Sequence, residues 1–350
     1  MPGYLVEFIF TFIISFLVAY ISTPVLRRIA VALEIVDLPN KRKIHKKATP
    51  LLGGVAIYLG FAAGFFLNYG KLQGFLPVFI GGTIMLGVGV VNDFRELSAK
   101  FRLLCQVLIS LIIVNSGICV EFLPNNFLGN LGEISLTIFW IIGVTNAYNY
   151  LDGMDGLASG SAVINLFCFG IILLIGYQPY LCMVSIILAF ACLGFIPHNF
   201  NRRKIFLGDA GSTFLGFSLA SIAIMGTWAE DNIVKLSIPL LILGVPIFDM
   251  IFTTVVRIKQ KKVSSITEWF EYAGRDHFHH YLVDLGLSPL GAVLFIYAIT
   301  LSLGMSAILV TNDSPFEALF VVVQSAIIFT IIGTLMVVAK KRHTGWCRVD

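Results

Sequence analysis

Charge is what this 350-residue chain has least of. Asp, Glu, Lys and Arg make up 13% of it, about half the ~25% usual in soluble globular proteins. So little charge excludes a soluble enzyme and an intrinsically disordered chain. Cysteine is also sparse and unpaired in sequence. Cys105, Cys119, Cys168, Cys182 and Cys192 lie in apolar runs and Cys347 in the C-terminal tail, so neither a zinc ribbon, a redox motif nor a secreted disulfide scaffold is indicated. A signal peptide is not indicated either: the apolar run from Tyr4 to Leu26 is too long for one and has no basic flank, so it reads as a first membrane span. No internal repeat is evident.

What remains is apolar: 57% hydrophobic residues, with 30 Phe and 32 Gly, and a mean hydropathy of +0.90. About 20 apolar residues cross a bilayer as a helix. The hydrophobic runs predict spans at 4–26, 51–69, 75–92, 102–120, 134–151, 157–176, 180–197, 210–228, 234–256, 289–310 and 317–339. The expected fold is an all-α polytopic membrane protein of about eleven transmembrane helices, one integral-membrane domain over residues 1–350. With that map, every Lys and Arg except Lys71 and Lys235 falls on one side. The positive-inside rule makes that side cytoplasmic, with the N-terminus outside and the C-terminus inside. The cytoplasmic segments are then 27–50, 92–102, 152–157, 198–209 and 257–288.

The same side collects the chemistry: all six histidines, and Asp93, Asp152, Asp155, Asp209, Asp249 and Asp276. A transporter places polar groups near the midplane, commonly between related repeats, and a channel lines a path across. Polar groups gathered on one face favour an enzyme working at the membrane surface, and a transporter of a phosphorylated lipid or organic anion is the competing class. The segment Lys41-Arg-Lys-Ile-His-Lys-Lys47 is a dense cation, suited either to anionic headgroups or to a phosphorylated substrate. Asn146, Asn149 and Asp152 recur every third residue at the end of an apolar span; such polar groups carry a desolvation cost unless they bind something or one another. Asp209 precedes an outward-running helix whose positive end suits an anion, so it either caps that helix or holds Mg²⁺ against a phosphate. Asp276-His-Phe-His-His280 invites a zinc reading, but the surrounding Asp and basic residues fit Mg²⁺-diphosphate chemistry better.

Four segments in order, Asn92-Asp93 with Leu97 and Lys100, Asn146 to Ala158, Phe206 to Gly216, and His277 to His280, resemble the polyprenyl-phosphate N-acetylhexosamine-1-phosphate transferase family. The likeness is to its initiating branch more than to the peptidoglycan enzyme MraY. The resemblance implies transfer of a sugar-1-phosphate from a UDP-N-acetylhexosamine, GlcNAc foremost, to polyprenyl phosphate with release of UMP. It implies Mg²⁺ as cofactor, with Mn²⁺ as a substitute, a bacterial inner-membrane location, a cytoplasmic active site and a homodimer. No nucleic acid is implied. By the same resemblance Asp209 and Asp152 are metal-site residues, and Asp93, Asp152, Asp155, Asp209 and His279 are catalytic. Lys46, His45, Asn149, Asn199, His277 and His280 are substrate-binding, with Lys43 and Lys47 as alternatives to Lys46. Two departures stand out. The family's usual Asp-Asp is Asn92-Asp93 here, so either Asp93 serves as base or the acceptor phosphate, already ionised near neutral pH, attacks without one. The approach Ser264 to Arg275 also lacks the expected Pro-Phe stretch, leaving the donor sugar open.

Overall fold

Long unbroken runs of Leu, Ile, Val and Phe leave the backbone no hydrogen-bonding partner except itself, and in lipid that selects helices. In the computed structural model, residues 2–38, 48–200, 204–263, 268, 272, 274, 276–311 and 314–346 are described. The helices are α1 (Pro2–Ala32), α2 (Gly53–Leu67), α3 (Tyr69–Leu72), α4 (Leu76–Phe94), α5 (Ala99–Asn115), α6 (Phe127–Leu151), α7 (Leu157–Ile175), α8 (Pro179–Asn199) and α9 (Gly208–Met225). They continue with α10 (Asn232–Ile242), α11 (Gly244–Lys259), α12 (Phe278–Asp284), α13 (Pro289–Val310) and α14 (Pro315–Trp346). Two two-residue strands, β1 (Val36–Asp37) and β2 (Thr49–Pro50), pair antiparallel between α1 and α2, with Val36 opposite Pro50 and Asp37 opposite Thr49.

The chain is therefore an all-α, multi-pass membrane protein. Among the described residues eight helices are long and apolar enough to cross a bilayer, or nine if a bent pair is one span. Each of the eleven stretches expected from hydropathy carries helix, but not all as one full-length rod. At 15 and 17 residues, α2 and α5 are short for a span. The stretch 234–256, expected as a single helix, is α10 and α11 meeting at 77°. The break has a local cause: Pro246 has no N–H to offer the carbonyl one turn back, and Gly244 adds freedom beside it.

α9 is the centre of the bundle: 83% of it is buried, against 11% of the most apolar stretch of α14. Small residues on α9 allow this. Gly216 packs against Thr145 and Tyr148 of α6 so closely that a Cβ would lie 2.8 Å from the Thr145 Cα. Helix termini then meet at two ends of the bundle. At one, Glu133 accepts from the N–H groups of Phe122 and Leu123, and Lys235 donates to the carbonyl of Glu121 at 2.8 Å. At the other, the end of α4, the start of α5, the end of α6, the start of α7, the end of α8 and the start of α9 converge.

Candidate active site

The first turn of α9 organises that second end. Gly208 sits at φ 74° and a Cβ there would come 2.6 Å from Asp93 Oδ2, so both its backbone and its lack of a side chain are required. Asp93, in the last turn of α4, accepts from the Asp209 N–H at 2.8 Å with Oδ1 and from the Ala210 N–H at 3.2 Å with Oδ2. A carboxylate on the first free N–H groups of a helix satisfies orphan donors and meets the positive end of the dipole. Gly54 of α2 and Gly89 of α4 close the grip, since a Cβ on the first would overlap the backbone of Gly211 and one on the second that of Ala210. Asp93, expected as catalytic, thus has both oxygens engaged in holding α9.

Asp209 projects from this clamped start. Its Oδ1 accepts from Asn149 Nδ2 at 2.8 Å, its Oδ2 accepts from Asn92 Nδ2, and Arg102 Nη1 lies 3.4 Å from the same Oδ2. Asn149 also donates to Ser212 Oγ at 2.9 Å, and Asn92 Oδ1 accepts the Leu97 N–H at 2.8 Å. Deeper in, Asn146 donates to Gln106 Oε1 at 2.8 Å. Asn92, Arg102, Gln106, Asn146, Asn149 and Asp209, with Met85, Val88, Gly89 and Thr213, line a small cleft partly open to solvent. Asp209 and Arg102 are about one-third exposed, so the polar end of the cleft is accessible.

Asp152 and Asp155 lie in the turn from α6 to α7, both half-buried. Burial pushes the Asp152 carboxyl well above the usual carboxylate range, and the charges of Asp209, Asp93 and Asp155 push it further. The turn is pinned from behind. Asn199, expected to bind substrate, turns its amide inward: Oδ1 accepts the Gly156 N–H at 2.6 Å and Nδ2 donates to the Ile205 carbonyl at 2.9 Å. Tyr297 of α13 donates to the Gly156 carbonyl.

The histidine segment reaches this turn from the far side. Its anchor is a row of polar residues on α11, Asp249, Thr253 and Arg257, one helical turn apart. Asp249 accepts from the Phe278 N–H at 2.6 Å and faces His277 Nδ1 at 3.1 Å. Arg257 makes a two-pronged pair with Asp276, both contacts at 3.0 Å, and its Nη2 lies 3.3 Å from His277 Nε2. His277, expected to contact substrate, therefore has both ring nitrogens engaged within the protein. His279 is fully buried against Gly153, where a Cβ would overlap its ring. His280 is the half-buried member, its ring centroid 4.3 Å from that of His279.

Lys46 and His45, together with Lys43 and Lys47, lie outside the described residues. The stem that carries them is placed: Phe206 N–H donates to the Pro50 carbonyl at 2.8 Å, while Gly53 and Gly54 donate to the carbonyls of Phe206 and Leu207 at 3.0 and 2.9 Å. The basic loop thus leaves from a hairpin docked directly before Gly208. The structure brings Asp93, Asn149, Asp152 and Asp209 together, ties Asn199 and His277 to partners within the protein, and adds Arg102, which in sequence is one basic residue among many. Arg257 is a further addition, and Asp249, which in sequence suits either a helix-packing contact or an outer wall of the site, holds the histidine segment. Their signal was the spacing of 249, 253 and 257 on one face of an apolar helix.

The donor set can be weighed for a divalent cation. Among the described residues no three His, Cys, Asp or Glu side chains form a preformed metal cage. Mg²⁺ does not need one, because it is commonly bound through one or two carboxylates plus phosphate oxygens and water. The mutual repulsion around Asp152 is what such a cation would relieve, and Asp209 and Asp152 fit the part.

Known proteins answer to this arrangement. Residues 75–227, which hold α4 through α9, match glycosyl transferase family 4. The chain is 35% identical over 94% of its length, and 92% of the relative's, to a probable undecaprenyl-phosphate N-acetylglucosaminyl 1-phosphate transferase of Bacillus subtilis. It is 30% identical to a decaprenyl-phosphate N-acetylglucosaminephosphotransferase of Mycobacterium tuberculosis over 80% of this chain and 77% of that one. To the undecaprenyl-phosphate alpha-N-acetylglucosaminyl 1-phosphate transferase of Escherichia coli O157:H7 it is 27% identical, over 77% and 75%. With the fold, the clamped Asp209 and these relatives in agreement, the chain belongs to glycosyl transferase family 4.

Proposed function

We propose that this protein transfers N-acetylglucosamine-1-phosphate from UDP-GlcNAc to a polyprenyl phosphate, undecaprenyl phosphate foremost, and releases UMP. The observation that carries the reading is the meeting of Asp209 and Arg102 in a cleft also lined by the apolar Met85 and Val88, with Asp152 near enough for the Asp209 charge to raise its carboxyl, in a chain whose relatives are named for this transfer. An oxygen of the acceptor phosphate attacks the phosphorus next to the sugar, the bond to the UMP oxygen breaks, and UMP leaves. A phosphate monoester has a second pKa of about 6, so the nucleophile needs no protein base near neutral pH. The engagement of both Asp93 oxygens by α9 is consistent with that. Mg²⁺ supplies charge neutralisation of the diphosphate when bound, and Asp209 and Asp152 would hold it. Arg102 offers a fixed positive charge beside the same phosphates, and His280, the half-buried histidine of its segment, would face the donor diphosphate, with Lys46 and His45 of the basic segment as further phosphate contacts.

In this reading the site opens to the cytoplasm at the bacterial inner membrane, where a soluble nucleotide sugar meets a lipid acceptor, with eleven spans, the N-terminus outside and the C-terminus inside. The product would begin a cell-surface polysaccharide, and the protein would act as a homodimer. The test is purified protein in detergent with Mg²⁺, undecaprenyl phosphate and a panel of UDP-N-acetylhexosamines, reading UMP release. Release with UDP-GlcNAc, lost with EDTA and in Asp209→Asn, is expected. No UMP from any donor would overturn the enzyme reading, and uptake of a phosphorylated lipid into sealed vesicles without UMP would favour a transporter.

A further inference from the structure

We infer that His277 is not a substrate-binding histidine but the positioning residue of the His277–His280 segment, fixed in one tautomer by Asp249 and Arg257 of α11. The inference rests on the proposed transfer only for the kinetic part of its test. The side chains around the ring decide the tautomer. Asp249 presents a carboxylate oxygen 3.1 Å from Nδ1 and can only accept, while Arg257 presents Nη2 3.3 Å from Nε2 and can only donate. The arrangement is self-consistent with the proton on Nδ1 and the lone pair on Nε2. That lone pair is taken by the guanidinium and the N–H by the carboxylate, so neither ring nitrogen is left for a phosphate.

The mount is rigid. Arg257 and Asp249 have no solvent exposure, and Asp276 is 2% exposed. Arg257 is itself held in two directions, by the two-pronged contact with Asp276 and by the faces of Tyr272 and Tyr150, 4.9 and 5.7 Å from its guanidinium carbon. Asp249 adds a second hold on the segment by accepting from the Phe278 N–H at 2.6 Å, at the first residue of α12. One residue later the chain delivers His279 against Gly153, so the position of α11 sets how the histidine segment meets the Asp152 turn. The His277 and His279 rings lie parallel, 5.8 Å apart, so a shift at the mount is passed directly to the turn.

The test uses the full-length protein in detergent. With ¹⁵N-labelled histidine and His277→Gln to assign the signal, His277 is expected as the Nδ1–H tautomer, unchanged when saturating UDP-GlcNAc and Mg²⁺ are added, whereas the His280 signal moves. An Nε2–H tautomer, or a His277 signal that responds to donor as His280 does, would overturn the inference. In kinetics, Asp249→Asn presents an amide N–H to Nδ1 and forces the tautomer that points Nε2–H at Arg257. Asp249→Asn and His277→Gln are each expected to lower kcat about 10–100-fold with donor KM changed by less than about threefold, and the double variant to be no worse than the weaker single one. His280→Gln is expected to raise donor KM instead. Multiplied losses in the double variant, or a raised KM in His277→Gln, would count against the mount. A wild-type protein that released no UMP would defeat the proposed function, while the tautomer measurement would still decide this one.

Discussion

Asn92 shows how much one side chain changes the site's charge. Its amide donates to Asp209 and its carbonyl oxygen holds the Leu97 N–H, so it ties the α4–α5 loop to the central carboxylate as a neutral group. Asn92→Asp would set two carboxylates against each other. It is expected to lower the melting temperature in EDTA, to recover it with millimolar Mg²⁺, and to retain UMP release; an inactive variant would contradict that. Asp93→Asn removes one of the two acceptors on α9 and points an amide N–H at the other donor. Loss of a helix cap costs about 0.5–2 kcal/mol, and here it also shifts Asp209, so both stability and turnover should fall. Asp152 carries a pH consequence. Its carboxyl, held high by burial and neighbouring carboxylates, binds a proton at a pH where a free aspartate would not. A cation favours the ionised form, so cation binding should release protons and tighten as pH rises. Titration calorimetry of Mg²⁺ in two buffers of different ionisation heat checks this, and identical heats would remove it.

At the scale of elements, α9 and α11 do the positioning. Gly208→Ala meets both an unfavourable φ and the Asp93 oxygen 2.6 Å from the new Cβ, so it is expected to abolish UMP release and lower the melting temperature, with Gly216→Ala packing against α6 as a control that destabilises without touching Asp93. On α11, Arg257→Met would leave Asp276 charged and buried. Breaking one partner of a buried pair costs about 3–5 kcal/mol, whereas removing both with Arg257→Met and Asp276→Leu should restore much of the stability. Activity should not return with it, because the hold on His277 Nε2 stays lost. Thermal melting followed by UMP assay separates the two outcomes.

Across the whole molecule, the acidic and histidine motifs lie at one end of a helical bundle that exposes many Leu, Ile, Phe and Val side chains. If the basic end is cytoplasmic, cysteines placed at Lys71 and Lys235 in intact cells should react with a membrane-impermeant thiol reagent, and one at Glu96 only after permeabilisation, in a background with Cys347 replaced. The reverse pattern would invert the topology.

The apolar runs and the one-sided basic residues determined by themselves that this is a multi-pass helical membrane protein with its chemistry gathered at one end, because spans must be apolar and each run is long enough to identify alone. The order of the acidic and histidine motifs was legible for the same reason: motif residues stand out against an apolar background. Only the tertiary structure decided which of them face the cleft. Asp93, Asn199 and His277 place their polar atoms on partners 116, 43 and 28 residues away, as Asp209 does on Asn149, 60 residues away, and no spacing along the chain encodes such pairings. The break at Leu243 to Pro246 was likewise hidden, since hydropathy sums over a kink without registering it. Arg102 carried no distinguishing mark until the fold brought its guanidinium to Asp209, because a charge acquires a role only from the group it ends up facing.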